Sequence, residues 1–366
     1  TPARQTENIN QVVKGWVMTT EKDTTTKVLI DEKEIEQKNI KRTERQDVIN
    51  AIKGYGDETI FNKNPGFETN IDFSKYSLGN HVVKVQVLSQ NNVISEATKV
   101  FTIRKKIEYS KGTYGVTGLK AIGDNRGTSL KYYKYGSGPN VFFATFAIHG
   151  FEDIWAKDGQ ELVTIANNFY QQLIKNKDFD LAEKWTIYIF PGINLDGLNY
   201  GSTNNGPGRT TLFSQAPNNR GIDLNRCWQI GSDYTRYTDS RNYNGTSGFQ
   251  AYEAQYLRDF LLKNKSQNGQ TILVDLHGWT TQVIGDSGIC SYYSKQFPEN
   301  DKSAVGRYGT GYLINWARSS LGSTSKAARS ALIELPSTGI NGHQSVINHN
   351  YSNRYIQATL DMLKNI

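Results

Sequence analysis

Four apolar runs in this chain stop at residues that can bind a metal or move a proton. His149 and Glu152 follow "NVFFATFAIHG". Asn194 and Asp196, in "PGINLDG", follow "KWTIYIF". His277 closes "TILVDLHG", and Glu334 closes "SALIELP". Two imidazoles and one carboxylate are the donor set of a catalytic zinc site, with water at the fourth position. The spacing His149-x-x-Glu152 lets both side chains turn toward one ion from a tight loop, while His277 approaches from another strand. Asp275, two residues earlier, points to the same side of its strand. It, or a backbone carbonyl, is placed to orient a ligand imidazole. A zinc ion polarises a carbonyl and acidifies water. A further carboxylate must then take the water's proton and pass it to the leaving amine, and Glu334 is the residue for that task. The H-x-x-E pair alone equally describes a hydrogen-bonded histidine and a solvated glutamate. Its joint placement with His277 and Glu334 at strand ends points to a metal site instead.

These residues converge only if the strands that end in them are parallel neighbours. "NVFFATFAIHG" is apolar throughout, as in a strand buried on both faces. "DGQELVTIANNFYQQLIKN" carries Leu162, Ile165, Ala166, Phe169 and Leu173 at helical spacing, with Asp158 as its N-cap. "FQAYEAQYLRDFLLKNK" places Ala254, Leu257, Phe260 and Leu261 on one face of another helix. Strand and helix in alternation predict an α/β fold, a mixed central sheet with helices on both faces. Ligands of such sheets sit beyond the carboxyl ends of the strands.

Residues 1–105 follow another pattern. "TKVLIDEKEI" reads as a strand pair around Asp31 and Glu32. "HVVKVQVLSQNNVISEATKVFTIRKK" reads as strand, Asn91-Asn92 turn and strand, with Val83, Val85 and Val87 on one face; "RQDVINAI" is a single helical turn. Many short strands between turn signals predict a small all-β sandwich, followed by an α/β domain over 106–366. "GWVM", "RQDV…NPGF" and "SLGNHVVKVQV" resemble an immunoglobulin-like module of bacterial surface proteins. That resemblance implies a spacer or adhesion role. His81, in a turn before a strand, reads as structural.

The most specific stretch is "NNRGIDLNRCW", residues 218–228. Taken with "AIHGFE", "PGINLDG", "GPGR", "DLHGW" and "LIELP", it resembles, in order and approximate spacing, the M14 zinc metallocarboxypeptidases related to carboxypeptidase A. The resemblance covers about residues 108–366. It implies one zinc ion held by His149, Glu152 and His277. It implies that Asn225 and Arg226 hold a substrate's terminal carboxylate, a task suited to the two parallel hydrogen bonds of a guanidinium. It gives Arg209, in "GPGRTT", the oxyanion role, for which Arg220 in the same loop competes. Glu334 matches the general base. Tyr308 is similar to the mobile tyrosine that closes over substrate, with Tyr312 as the alternative. Ile314 falls near the base of the side-chain pocket, which speaks against a pocket for basic side chains. Cys227 stands where close relatives often have Asn, and packing explains it. His343 and His349 follow the last catalytic strand and read as surface residues. The implied activity is hydrolysis of a peptide bond near a substrate's C-terminus. The expected substrate is a bacterial cell-wall (peptidoglycan) peptide, with conventional L-peptides and, for a zinc amidase or deacylase, other amides as the alternatives; a non-catalytic wall-binding protein would have no use for Glu334. Bacterial members with extra surface modules include enzymes that trim cell-wall peptides near D-Glu and diaminopimelate.

Composition bounds the rest. The 366 residues suit two domains, and 37% hydrophobic with 21% charged residues reads as globular. No stretch comes near the ~18 consecutive apolar residues of a membrane span. The net charge of +7 comes from scattered Lys and Arg with no basic run of the nucleic-acid kind, which reads first as a well-solvated surface and is also compatible with attraction to an anionic cell wall. Cys227 and Cys290 fit no cysteine-type zinc motif, and either pairing or free thiols are compatible with them. The start "TPARQTEN" looks trimmed. The expected setting is secreted or cell-surface, in a bacterium, with a peptide substrate and wall association through the N-terminal module.

Overall fold

The computed structural model describes residues 4–21, 23–52, 64–337 and 342–366. The chain divides into two compact units, Thr1–Lys106 and Ile107–Ile366. The expectation about the chain's first residues falls outside the described residues.

Among its described residues the first unit is all-β apart from the short helix Gln46–Ala51 and two 3-10 turns. It has one sheet of five strands and one of three. Val83, Val85 and Val87 share one buried face of Gly79–Ser89, and Val83 and Val85 join Val13, Val28, Phe67, Phe73 and Phe101 in one core cluster. Asp31 and Glu32 make the turn between Thr24–Ile30 and Lys33–Glu34. The second hairpin turns one residue earlier than the sequence suggested. Gln90 and Asn91 carry the left-handed φ values of 47° and 68°, and Asn92 already opens the next strand. His81 is buried, with Nδ1 2.6 Å from Asp31 Oδ2 and Nε2 2.8 Å from the Ser77 carbonyl.

The second unit is built on seven strands: β1 (Tyr109–Val116), β2 (Ser129–Tyr135), β3 (Asn140–Phe146), β4 (Trp185–Phe190), β5 (Thr271–Gly278), β6 (Val283–Gly285) and β7 (Arg329–Leu335). Their order is β6-β7-β5-β3-β4-β2-β1. The central run β7-β5-β3-β4 is parallel and the outer pairings are antiparallel. This is the mixed sheet expected. Phe142, Ala144 and Phe146 of β3 enter one apolar cluster, and Val141 and Phe143 enter another. The two-residue alternation thus buries both faces of the strand.

Helices supply the two covers. The first cluster takes Leu162, Ile165, Ala166, Phe169 and Leu173 of α1 (Gly159–Asn176). The second takes Ala254, Leu257 and Leu261 of α2 (Tyr252–Asn264), with Phe260 packed against it, and Leu313, Ile314 and Trp316 of α3 (Leu313–Ser320). The chain runs from β3 to β4 on one side, then to β5 on the other. That reversal opens a crevice at the carboxyl ends of β3 and β5.

Asp158 holds the N-cap position of α1, as expected, but its side chain accepts no hydrogen bond from the helix. It turns back into the loop before the helix and accepts from the backbone of Glu152, Asp153 and Ile154.

Candidate active site

The crevice holds the metal-type residues. β3 leads through Ala147, a left-handed residue at φ 48°, to His149. Gly150 lies against the backbone of Leu198, where a Cβ would come within 2.2 Å of the Leu198 nitrogen, so only glycine lets the loop seat there. His149, Glu152 and His277 are each only 1% exposed. One ligand atom from each can be chosen so that all three lie within 4.8 Å of one another. His149 Nδ1 is 3.0 Å from Glu152 Oε2, and His277 Nδ1 is 3.4 Å from Glu152 Oε1.

The opposite ring nitrogens are anchored. His149 Nε2 lies 2.9 Å from Asp223 Oδ1, and His277 Nε2 lies 2.9 Å from Asp275 Oδ2. Both imidazoles therefore turn Nδ1 toward one point. Glu152 Oε1 is buried with no hydrogen-bond partner. A buried carboxylate with one oxygen that accepts no hydrogen bond, set between two oriented ring nitrogens, fits a zinc ion. Burial opposes ionisation of Glu152, but His277 and His149 outweigh it and draw its carboxyl down to about 2. Burial likewise works against a charged His277, yet Asp275 and Glu152 hold its pKa well above the usual value.

Glu334 stands beside this group. It is the register partner of His277 on the adjacent parallel strand, so both side chains leave the same face of the sheet. Burial, with Glu152 and Asp153 nearby, pushes its carboxyl up to about 7 against the pull of His277 and Arg209. Its Oε2 is buried and unpartnered. Asn300 Nδ2 donates to the Glu334 carbonyl at 2.9 Å and steadies this strand end.

Asp223 joins the remaining parts. It accepts from Asn225 N at 2.8 Å and from Arg209 Nε at 3.3 Å, besides facing His149. Burial opposes its charge, but His149 and Arg209 keep its carboxyl far below the ordinary range. Arg209 is buried, and its Nη1 has no hydrogen-bond partner. Desolvation opposes its charge, but Asp223, Glu152, Asp153 and Glu334 overcome it and raise its pKa. Asn194 Nδ2 donates to the carbonyls of Gly208 and Arg209, so the strand end after β4 holds the arginine's backbone. Arg220 is elsewhere, exposed and stacked 3.9 Å over the Tyr243 ring, so Arg209 is the arginine brought to the metal group.

Asn225 Oδ1 accepts from Leu313 N at 3.0 Å, which ties it to the start of α3. Arg226 Nη1 donates to the Asn225 carbonyl at 3.0 Å. Among the described residues no carboxylate pairs with Arg226. Its guanidinium lies 4.3 Å from the centre of the Tyr312 ring and 5.8 Å from that of Tyr237.

Tyr308 is not with this group. Its ring lies 4.4 Å below the Arg318 guanidinium, and it is half-buried there. The reason is the glycine pattern of its loop. Gly306, Gly309 and Gly311 all take left-handed φ values, and Gly311 presses on the Arg226 carbonyl where a Cβ would sit 2.4 Å away. The turn brings Tyr312, not Tyr308, over Arg226. Ile314 is fully buried in the second apolar cluster, and its carbonyl accepts from Ser330 Oγ.

The other singled-out residues are structural. Cys227 and Cys290 are buried free thiols. Burial pushes the Cys290 thiol up to about 12 and raises that of Cys227 still more. Asp196 accepts from Leu119 N. His343 faces Glu161, and His349 lies against Tyr351, both away from the metal group. Sequence reasoning gave Asp223 no role, although "GIDLNR" sets it two residues before Asn225.

The family model Peptidase_M14, described as zinc carboxypeptidase, matches residues 113–360. Among known proteins, the chain is similar to Bacteriocin BCN5 of Clostridium perfringens, 35% identical over 255 residues, covering 69% of this chain and 26% of that protein. It is also similar to Zinc carboxypeptidase A 1 of Anopheles gambiae, 28% identical over 193 residues, covering 49% of this chain and 42% of that one. The chain thus spans less than half the length of either relative. Among solved structures, it resembles bovine thrombin-activatable fibrinolysis inhibitor in complex with tick carboxypeptidase inhibitor. The TM-score is 0.51 at 18% identity, over 70% of this chain and 89% of that one. Carboxypeptidase A from Helicoverpa armigera aligns with a TM-score of 0.50 at 15% identity, over 70% and 69%. At these identities the structures speak for the fold alone. The family match covers more than half of the chain, and the chain belongs to the zinc carboxypeptidase family Peptidase_M14.

Proposed function

We propose that this protein is a zinc peptidase that cleaves a peptide bond near the C-terminus of bacterial cell-wall peptides, acting outside the cell or at its surface. The observation that carries the peptidase reading is Arg226, whose guanidinium has no carboxylate partner among the described residues and which follows Asn225, itself bonded through its backbone to the Asp223 that faces His149. An unpaired guanidinium next to reacting residues suits a substrate carboxylate.

His149, Glu152 and His277 would hold the zinc ion, which when bound would supply polarisation of the scissile carbonyl and a more acidic water. The chain's own residues do the rest. Asn225 and Arg226 hold the terminal carboxylate and set the bond in reach. Glu334 takes the water's proton on its partnerless oxygen and returns it to the leaving amine. Arg209 keeps a fixed positive charge, with a free N–H, for the oxygen on which negative charge develops.

Three observations support a wall peptide as the substrate. The similar Clostridium perfringens protein carries the name bacteriocin. The chain bears a net charge of +7, which favours an anionic wall. An all-β unit precedes the α/β unit and suits the role of a spacer or wall-adhesion module. A second reading, an ordinary L-peptide carboxypeptidase, is favoured by the likeness to Zinc carboxypeptidase A 1. Digestion of purified peptidoglycan and of a blocked L-dipeptide panel, read by mass spectrometry, separates the two. Shortened stem peptides are expected. Turnover of L-dipeptides with intact stem peptides overturns the wall reading.

A further inference from the structure

The three metal-type side chains are not held in the same way. His149 is oriented by Asp223 and His277 by Asp275. Glu152 has no such partner. Its Oε2 faces His149, and its Oε1 accepts no hydrogen bond. The sheet cannot place it either, because the chain has left β3 at Phe146. The position of Glu152 must come from its backbone.

That backbone is wrapped around one carboxylate. Asp158 Oδ1 accepts from Glu152 N at 2.5 Å. Asp158 Oδ2 accepts from Asp153 N at 3.1 Å, Ile154 N at 3.0 Å and, more loosely, Trp155 N at 3.4 Å. Consecutive N–H groups converging on one point form a concave anion site. Asp158 also stands immediately before α1, whose positive end favours a negative charge there. Gly159 follows, and a Cβ at that position would lie 2.7 Å from the His149 carbonyl. The start of the helix is therefore pressed directly on the metal loop.

The same carboxylate reaches the other ligand strand. Trp279 Nε1 donates to Asp158 Oδ2 at 3.1 Å, and Trp279 lies two residues beyond His277. The Trp279 ring stacks on that of Trp155, with centroids 5.2 Å apart and planes 21° from parallel. Asp158 is 0% exposed, so water does not compete for these bonds.

We propose that Asp158 is a positioning residue of the metal centre. It holds the backbone of Glu152 and, through the Trp279 indole, sets that loop against the strand end carrying His277. It touches neither metal nor substrate. This inference rests on the metal group and is independent of the wall-peptide reading.

The test is the zinc dissociation constant of Asp158→Asn, measured by chelator competition at 25 °C. The melting temperature of the metal-free protein is taken alongside. The substitution keeps the shape and places an amide among donors that need a carboxylate. A positioning role predicts zinc binding weaker by about 10- to 100-fold. A role confined to local folding lowers the metal-free melting temperature but leaves the zinc constant within about twofold of wild type, and that result overturns the proposal. Where Asp158→Asn does not fold, Trp279→Phe decides: it removes the indole donor along with part of the ring stacked on Trp155, so the metal-free melting temperature is read beside the zinc constant. Severalfold weaker zinc binding supports the bridge between loop and strand, and an unchanged constant overturns it.

Discussion

His277 and Glu334 are register partners, Cα to Cα, at the carboxyl ends of adjacent parallel strands. A metal-type ligand and a proton-accepting carboxylate therefore leave the same face of the sheet, one strand spacing apart. Their separation is set by the backbone ladder rather than by a loop. The relationship predicts that Glu334 can be altered without disturbing the metal group. Glu334→Gln is expected to keep stoichiometric zinc and to lose about 10²- to 10⁴-fold in kcat, the usual worth of a general base. Elemental analysis beside steady-state kinetics checks this. Full activity in the variant rules out the proton-transfer role.

Arg226→Ala tests the carboxylate clamp. Loss of a bidentate, charge-assisted pair is expected to lower kcat/KM by about 10- to 100-fold on peptides with a free C-terminus. Amidated peptides, which lack the charge, are expected to change little. An equal loss on both substrates means that Arg226 acts on something other than the terminal carboxylate.

Asp223 faces His149, Arg209 and the Asn225 backbone together. Asp223→Asn is expected to weaken zinc binding by about 10- to 100-fold and to reduce turnover at saturating zinc as well. The second effect arises because Arg209 loses its charged partner. Zinc titration followed by activity at saturation separates the two effects. A variant matching wild type in both excludes Asp223 from the site.

Glu253 predicts a pH dependence of stability. Burial pushes its carboxyl up from 4.5 to about 8, and its Oε1 accepts from Gly118 N while Oε2 has no partner. The folded state therefore favours the protonated form. The stability it contributes is full below the unfolded pKa of 4.5 and is lost as pH rises through about 8. Glu253→Gln is expected to flatten the fall in melting temperature over that window. Identical slopes for wild type and variant contradict the assignment.

Much of this was legible in the residues themselves. Apolar runs ending in His149, His277 and Glu334 are visible because strands buried on both faces leave no other reason for a charged terminus. The helical faces of 159–176 and 252–264 follow from periodicity, which depends only on local geometry. Three features were not legible, for separate physical reasons. Asp158 had the sequence position of an N-cap, but which N–H groups a carboxylate reaches depends on how the preceding loop closes. Tyr308 and Tyr312 are equally close in sequence to the clamp, and the left-handed turns at Gly309 and Gly311 choose between them. Asp223 gathers partners from segments 14 and 74 residues away, a convergence that no local pattern encodes.

The assignment of one zinc ion to His149, Glu152 and His277 is tested most directly by zinc per chain, measured by elemental analysis after exhaustive dialysis of wild type and His149→Ala. One zinc per wild-type chain and loss of bound zinc in the folded variant are expected. Stoichiometric zinc retained by His149→Ala would contradict the assignment.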